Sequence, residues 1–214
     1  MPTGAPPDSP EDGSDQEVSK PDYWNAIYLE NESPGWNIGQ PAPALIHWLE
    51  NAGAKPGRVC VPGCGYGHDV RLLAEHGFDA VGVDFAPLAV ARANEHSIGA
   101  PGKFEFRQAD VFELAKTEHE QFDYFYEYTC FVALEPSRRA EYVQLALSVL
   151  KPGGLLIGCF YNHGREGGPP FDVTREEVLA LYEPHFEIRT LEVTPHSIER
   201  RAGHELWAEF AKPT

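Results

Sequence analysis

The sequence is poor in positive charge, with 17 Lys and Arg against 33 Asp and Glu and a formal net charge of −16. An excess of that size repels phosphate backbones, so neither DNA nor RNA is expected as a partner. It also sets the general field against anionic ligands, and an anion would need a local exception. Long apolar runs are lacking as well. None approaches the roughly 20 residues that cross a bilayer, so no membrane span is expected. Cysteine is sparse: Cys60, Cys64, Cys130 and Cys159 include no Cys-x-x-Cys pair, and no histidine cluster lies at metal spacing beside them. A zinc site is therefore not expected, and four buried thiols in a reducing compartment are.

Residues 1–21 carry Gly, Pro, Ser and acids with almost no large apolar side chain. Such a stretch cannot offset its own ordering entropy, and a disordered arm is expected there. Asp8, Glu11, Asp12, Asp15 and Glu17 against Lys20 give the arm −4, leaving about −12 of the −16 with the rest. The arm lacks the basic start and apolar stretch of a secretory signal, which points to the cytoplasm. Residues 22–214 have the length of one domain, and 42% hydrophobic with 23% charged residues is a globular composition. A monomer with one core is expected.

From Arg58 onward short β-like runs alternate with helical patterns, the signature of a doubly wound, mostly parallel α/β sheet covered on both faces. The strands expected are Arg58–Pro62, Ala80–Asp84, Phe104–Ala109, Phe122–Glu127 and Leu155–Phe160, followed by Phe186–Val193 and Glu205–Phe210. That makes seven strands, the last two pairing as an antiparallel hairpin at one edge. Between them Val70, Leu73 and Ala74 recur at helical spacing, and Pro87 stands where a helix opens. Tyr142, Leu145, Ala146 and Val149 form a third helical stripe, with Pro152-Gly153 as its stop. Thr174 and Glu177 stand in capping-box spacing after the long loop Tyr161–Val173.

The strongest chemical signal is Val61-Pro62-Gly63-Cys64-Gly65-Tyr66-Gly67, between an apolar strand and a helix. Glycines there let the backbone turn sharply and approach a ligand where a Cβ would clash. A glycine loop alone is weak, since nucleotide folds use similar turns. Asp84 sharpens it by ending the second strand where an acid accepts hydrogen bonds from both hydroxyls of a ribose. The spacing Gly-x-Gly-x-Gly, in place of Gly-x-Gly-x-x-Gly, favours S-adenosylmethionine over a dinucleotide, because a cofactor without pyrophosphate needs no phosphate cradle at the helix N-terminus. Asp110-Val111 follows the third strand in order, placed to take the adenine amino group on the carboxylate and to donate the Val111 amide.

With these residues in hand the chain resembles the thiopurine methyltransferase family, in its halide, thiocyanate and thiol branch. The resemblance spans Tyr23–Phe210. It rests on Trp24 with Trp36-Asn37-Ile38-Gly39, on Val61-Pro62-Gly63-Cys64-Gly65 with Gly67-His68-Asp69-Val70, and on Asp110-Val111-Phe112. Phe122-Asp123, Tyr128-Thr129-Cys130-Phe131-Val132-Ala133-Leu134-Glu135-Pro136 and Glu166-Gly167-Gly168-Pro169-Pro170-Phe171 complete it. It implies a Rossmann-like class I methyltransferase using S-adenosylmethionine and releasing S-adenosylhomocysteine. Cofactor contacts are implied at Trp24, Tyr28, Trp36, Gly63, Gly65, Asp84, Asp110, Val111 and Tyr128, with residues 22–42 as a lid. The plant halide enzymes have a Trp where Tyr28 stands, and one residue is inserted between Tyr28 and Trp36. The thiopurine enzymes have an Arg where Tyr128 stands, which favours the halide and thiol branch.

Methyl transfer from a sulfonium is an in-line displacement, and an acceptor that is already anionic needs no base. The sequence offers no Ser/His/Asp set and no obvious carboxylate pair for proton work. A small soft anion such as a halide, thiocyanate or hydrosulfide is the expected acceptor, with a larger aliphatic or aromatic thiol as the alternative and a non-catalytic S-adenosylmethionine-binding protein as a further one. The expected acceptor wall is Trp36, Tyr128, Phe131, Tyr161, His163 and Phe171, with Tyr161 as the residue beside the reacting methyl group. Phe131 is as readily a core residue. His47 is expected on the surface, His68 in a structural hydrogen bond, and Arg138 and Arg139 in solvent at the head of a helix.

Overall fold

The computed structural model describes residues 18–214. Helices α1 (Pro21–Glu30) and α2 (Pro43–Asn51) precede an alternating series. It runs β1 (Arg58–Pro62), α3 (His68–Glu75), β2 (Asp79–Asp84), α4 (Pro87–His96), β3 (Lys103–Gln108), α5 (Leu114–Thr117), β4 (Phe122–Tyr128), α6 (Arg139–Val149), β5 (Leu150–Tyr161), α7 (Arg175–Tyr182), β6 (Glu187–Val193) and β7 (Glu205–Ala211). Proline opens α1, α2 and α4, where its missing N–H would lack an intrahelical partner anyway. Thr174 caps α7 by accepting the Glu177 amide at 3.1 Å, as the capping-box spacing predicts.

The sheet order is β3-β2-β1-β4-β5-β7-β6. Strands β1 to β5 are parallel, and β7 runs antiparallel between β5 and β6. The expected hairpin of the last two strands is present, with β7 seated inside it against β5. Alternate residues divide the core. Val59 and Val61 of β1 pack with Leu45, Trp48, Val70 and Leu73 on one face, while Cys60 joins Tyr142, Leu145 and Val149 on the other. Both faces are covered, as a parallel sheet requires. Among the described residues no helix is long and apolar enough to cross a membrane.

Two expectations change. Helix α6 ends at Val149, ahead of Pro152, and β5 already begins at Leu150. Leu150 pairs with Phe122 and the next register pair is Tyr124 with Leu155, so Lys151–Gly154 bulge from a strand that continues past them. Hydrogen bonds from Gly153 N to Lys212 O and from Lys212 N to Gly154 O, 3.0 and 2.8 Å, hold the bulge. The second change concerns the arm. Most of it lies outside the described residues, but Val18 is 4% exposed and its carbonyl accepts the Trp24 indole N–H at 2.7 Å. The boundary expected at residue 21 therefore moves back to Val18, whose side chain covers an aromatic cluster of Trp24, Tyr28 and Tyr66.

Candidate active site

Strand β1 ends at the carboxyl edge of the sheet and the chain turns through Gly63, Gly65 and Gly67, all with positive φ. A Cβ on Gly63 would lie 3.0 Å from that of Cys130, and one on Gly67 would lie 2.5 Å from the Phe106 ring. The turn is thus open to glycine for both conformation and space. Asp84, 8% exposed, ties the loop to β2: its carboxylate accepts the Gly65 amide at 3.0 Å and the Ala86 amide at 2.9 Å. Burial pushes its carboxyl up to about 6, and those two amides pull the other way.

A cavity of about 540 Å³ opens at this edge, a size suited to a small-molecule site. Gly63, Val83, Asp84, Phe85, Asp110 and Val111 line one end. Asp110 is already engaged locally, capping a short 3₁₀ turn by accepting the Phe112 amide at 3.0 Å. The N-terminal segment walls the opening through Val18, Ser19, Trp24, Tyr28 and Trp36. Trp36 donates its indole N–H to the Tyr28 hydroxyl at 3.0 Å and meets Trp24 edge-on at 5.3 Å. A smaller cavity of about 60 Å³ adjoins, reached by Gly65, His68 and Tyr128. The Tyr128 hydroxyl and His68 Nε2 are buried there without a hydrogen-bond partner among the described residues. Unpartnered buried polar atoms beside a glycine cradle and a buried carboxylate fit a polar ligand such as S-adenosylmethionine.

The other end gathers residues from separate loops. Tyr161 ends β5, and Arg201 comes from the β6–β7 connection. The Arg201 guanidinium lies 5.0 Å from the Tyr161 ring centre and 5.4 Å from that of Tyr128. Its side chain is 6% exposed, and it donates to Glu205 at 3.2 Å. Arg138, Arg165 and Arg200 line the same cavity, while no lysine or histidine among the described residues does. Burial raises the Cys130 thiol well above its ordinary value, which keeps this cavity-lining sulfur protonated.

Of the expected acceptor wall, Trp36 and Tyr161 line the main cavity and Tyr128 the smaller one. Three residues fall outside both walls. Phe131 is fully buried against Tyr142, Phe160 and Tyr182, the core alternative for that ring. His163 braces its own loop, where the Nε2 meets the Pro170 carbonyl at 3.1 Å. Phe171 packs beside the N-terminal aromatic cluster, and its amide donates to Val132 O at 2.7 Å. His47 is exposed, and His68 contacts Arg71 at 3.0 Å while burial lowers its imidazole to about 4. Arg139 corrects the expectation of a solvated helix head: it is 2% exposed and donates to Glu177 and to the carbonyls of Phe171 and Asp172, since five fixed donors suit a residue packed under an irregular loop.

The residues that sequence reasoning missed are Val18, Arg165, Arg200, Arg201 and Glu205. A signal existed for the last three: a double arginine in an acidic chain, four residues ahead of a glutamate at a strand start. A parallel sheet extended by an inserted antiparallel strand, with a glycine loop leaving its first strand and an acid closing the second, is the fold of the class I S-adenosylmethionine-dependent methyltransferases. More narrowly, the chain belongs to the thiopurine S-methyltransferase family, whose profile matches residues 19–209. It is 35% identical to thiocyanate methyltransferase 1 of Arabidopsis thaliana over 88% of this chain and 84% of that one. It is 30% identical to the thiopurine S-methyltransferase of Pseudomonas fluorescens over 81% and 86%. Among solved structures, the fold matches the 1,6-didemethyltoxoflavin-N1-methyltransferase of Burkholderia thailandensis, which holds S-adenosylhomocysteine, with a TM-score of 0.69 at 19% identity over 98% and 95%. S-adenosylmethionine is the methyl donor of this chain.

Proposed function

We propose that the methyl acceptor is a small soft anion, namely a halide, thiocyanate or hydrosulfide. One observation carries the reading: in a chain of net charge −16, four arginines line one cavity, against the three carboxylates Asp84, Asp110 and Glu135, and of the four Arg138 and Arg201 are already ion-paired. The four arginines are the local exception that an acidic protein needs to admit an anion. Arg165 and Arg200 are exposed and, among the described residues, lack a carboxylate within ion-pair distance. They set an attractive field at the mouth that draws anions inward. Arg201, buried beside Tyr161, receives them where water is scarce.

In this reading Trp24, Tyr28, Trp36, Gly63, Gly65, Asp84, Asp110, Val111 and Tyr128 hold the cofactor, and residues 18–42 close over it. When bound, the cofactor supplies an electrophilic methyl group on a positive sulfur. The chain's own residues position the acceptor and strip its water. Tyr161 orients the acceptor through its ring edge and hydroxyl. No cavity-lining histidine or lysine competes to move a proton, which suits an acceptor that has none to lose.

A panel of iodide, thiocyanate, hydrosulfide, an alkyl thiol and thiophenol tests the proposal. Turnover of the inorganic anions at kcat/KM above that of the alkyl thiol is expected. Activity confined to the organic thiols would overturn it.

A further inference from the structure

Beneath the acceptor end lies a carboxylate that the reading above does not use. Glu205 opens β7 directly opposite Tyr161 of β5 and is 1% exposed. One oxygen accepts from Arg201 Nη1 at 3.2 Å and the other from Ser197 Oγ at 2.5 Å. Among the described residues it is the only hydrogen-bond partner of the Arg201 guanidinium. Both oxygens are engaged and sealed from solvent, so Glu205 is not placed to abstract a proton.

Stability alone is a weak reason for such a pair. Desolvating two charges offsets most of their attraction, and packed apolar side chains would tether the loop as well. What the pair supplies instead is a fixed guanidinium with little net field. Transfer to an anion erases one charge of each sign: the acceptor's lone pair forms the new bond to the methyl carbon, the carbon–sulfur pair returns to sulfur, and no proton moves. An uncompensated guanidinium would hold the free anion more tightly than the transition state, where that charge is already dispersed. It would also repel the sulfonium.

We infer that Glu205 is the positioning residue that fixes Arg201 at the acceptor end and cancels its net charge, so that the site grips an anion through directed N–H groups without opposing the cofactor's positive sulfur. The inference rests on the anionic-acceptor reading above. It assigns to Glu205 a role in selectivity and in the balance between S-adenosylmethionine and S-adenosylhomocysteine.

The test is Glu205→Gln in the full chain, which keeps the shape and removes the charge. Calorimetry with perchlorate, an anion that cannot be methylated, on protein saturated with S-adenosylhomocysteine reads the anion site. At least tenfold tighter perchlorate binding is expected from one uncompensated charge acting within about 12 Å at an effective dielectric near 20. The ratio of the S-adenosylmethionine to the S-adenosylhomocysteine dissociation constant should rise by about the same factor. Iodide kcat and KM should both fall while the alkyl-thiol KM stays put, and Glu205→Asp should restore the wild-type ratio. Equal weakening toward perchlorate, iodide and thiol, or an unchanged cofactor ratio, would mean that Glu205 only holds the loop and would overturn the inference. Should Glu205→Gln not fold, the Arg201→Met/Glu205→Met double variant leaves no orphan charge and carries the test. It should lose perchlorate binding at least tenfold with the wild-type cofactor ratio, and retained perchlorate binding would count against the role. Wild-type protein that turns over no inorganic anion defeats the proposed acceptor instead, and the cofactor ratio still reports whether Glu205 balances charge.

Discussion

The glycine-loop end of the cavity and the acceptor end are built in opposite ways. The first takes its parts in sequence order from three adjacent parallel strands, with Gly63 after β1, Asp84 closing β2 and Asp110 after β3. Its contacts are backbone amides and short carboxylates, which the sheet sets by register. The second takes Tyr161 from β5, Arg201 from the β6–β7 connection and Arg138 from the head of α6, residues far apart in the chain. Its contacts are long, charged side chains whose direction depends on burial partners such as Glu205. A fixed cofactor end and an adjustable acceptor end are what a fold needs to serve relatives that act on thiocyanate and on thiopurines.

Substitutions at the two ends should separate binding of the cofactor from choice of the acceptor. The largest effect is expected from Asp84→Ala, since each charged hydrogen bond contributes on the order of 1.5–3 kcal/mol. Calorimetry with S-adenosylhomocysteine should show affinity falling at least tenfold, and unchanged affinity would remove the carboxylate from the cofactor end. Next, Arg201→Met should lower kcat/KM for thiocyanate by about 2 kcal/mol or more, as truncation of a buried charge partner does, with less effect on an alkyl thiol. Parallel losses for both acceptors would erase the contrast between the ends.

The acceptor wall also carries a titrating support. Glu127, fully buried at the end of β4, accepts the Phe131 amide at 2.8 Å and the Tyr142 hydroxyl, holding the turn that bears Cys130. Burial pushes its carboxyl up to about 7 against an ordinary 4.5, so folding takes up a proton between those values. Its contribution is complete below the ordinary value and declines as pH rises through 7. Glu127→Gln lacks that decline, and urea unfolding should show the variant gaining on the wild type by up to roughly 3 kcal/mol from pH 5 to 8. A pH-independent difference would show that the carboxyl does not titrate with folding.

Smaller effects sharpen the boundary of the N-terminal wall. Deleting residues 1–17 should leave the Tm near that of the full chain, whereas deleting 1–19 also uncovers Trp24 and should lower the Tm by about 3–6 °C, from a loss near 1.5 kcal/mol. Equal Tm values would show that Val18 adds nothing. The smallest change is expected from Tyr161→Phe, a few-fold fall for iodide with a shift of preference among acceptors. A selective collapse of the alkyl-thiol reaction by roughly 10²–10⁴-fold would make Tyr161 a general base.

Local chemistry made much of the molecule readable before folding was considered. The spacing of Gly63, Gly65 and Gly67, the acid at Asp84 and the cap at Thr174 are short-range devices: the glycines turn with positive φ, Asp84 accepts the Gly65 amide and Thr174 caps α7. Strand alternation likewise placed all seven strands to within a few residues, apart from the bulge that joins Leu150 to β5. Which side chains share the acceptor end was not legible. Phe131 and Tyr161 are both aromatic residues near strand ends, yet one packs in the core and the other faces the cavity, because the direction of a side chain after a turn is set by its packing partners. Arg139 looks like a solvated arginine in sequence, and only the packing of α7 brings Glu177 to it. Sequence by itself determined the fold and the methyl donor, and it marked the glycine loop and Asp84, which lie within a turn of a strand terminus. Tertiary structure alone decided which arginines share one cavity, because Arg138, Arg165, Arg200 and Arg201 come from three separate stretches of the chain that only packing brings together.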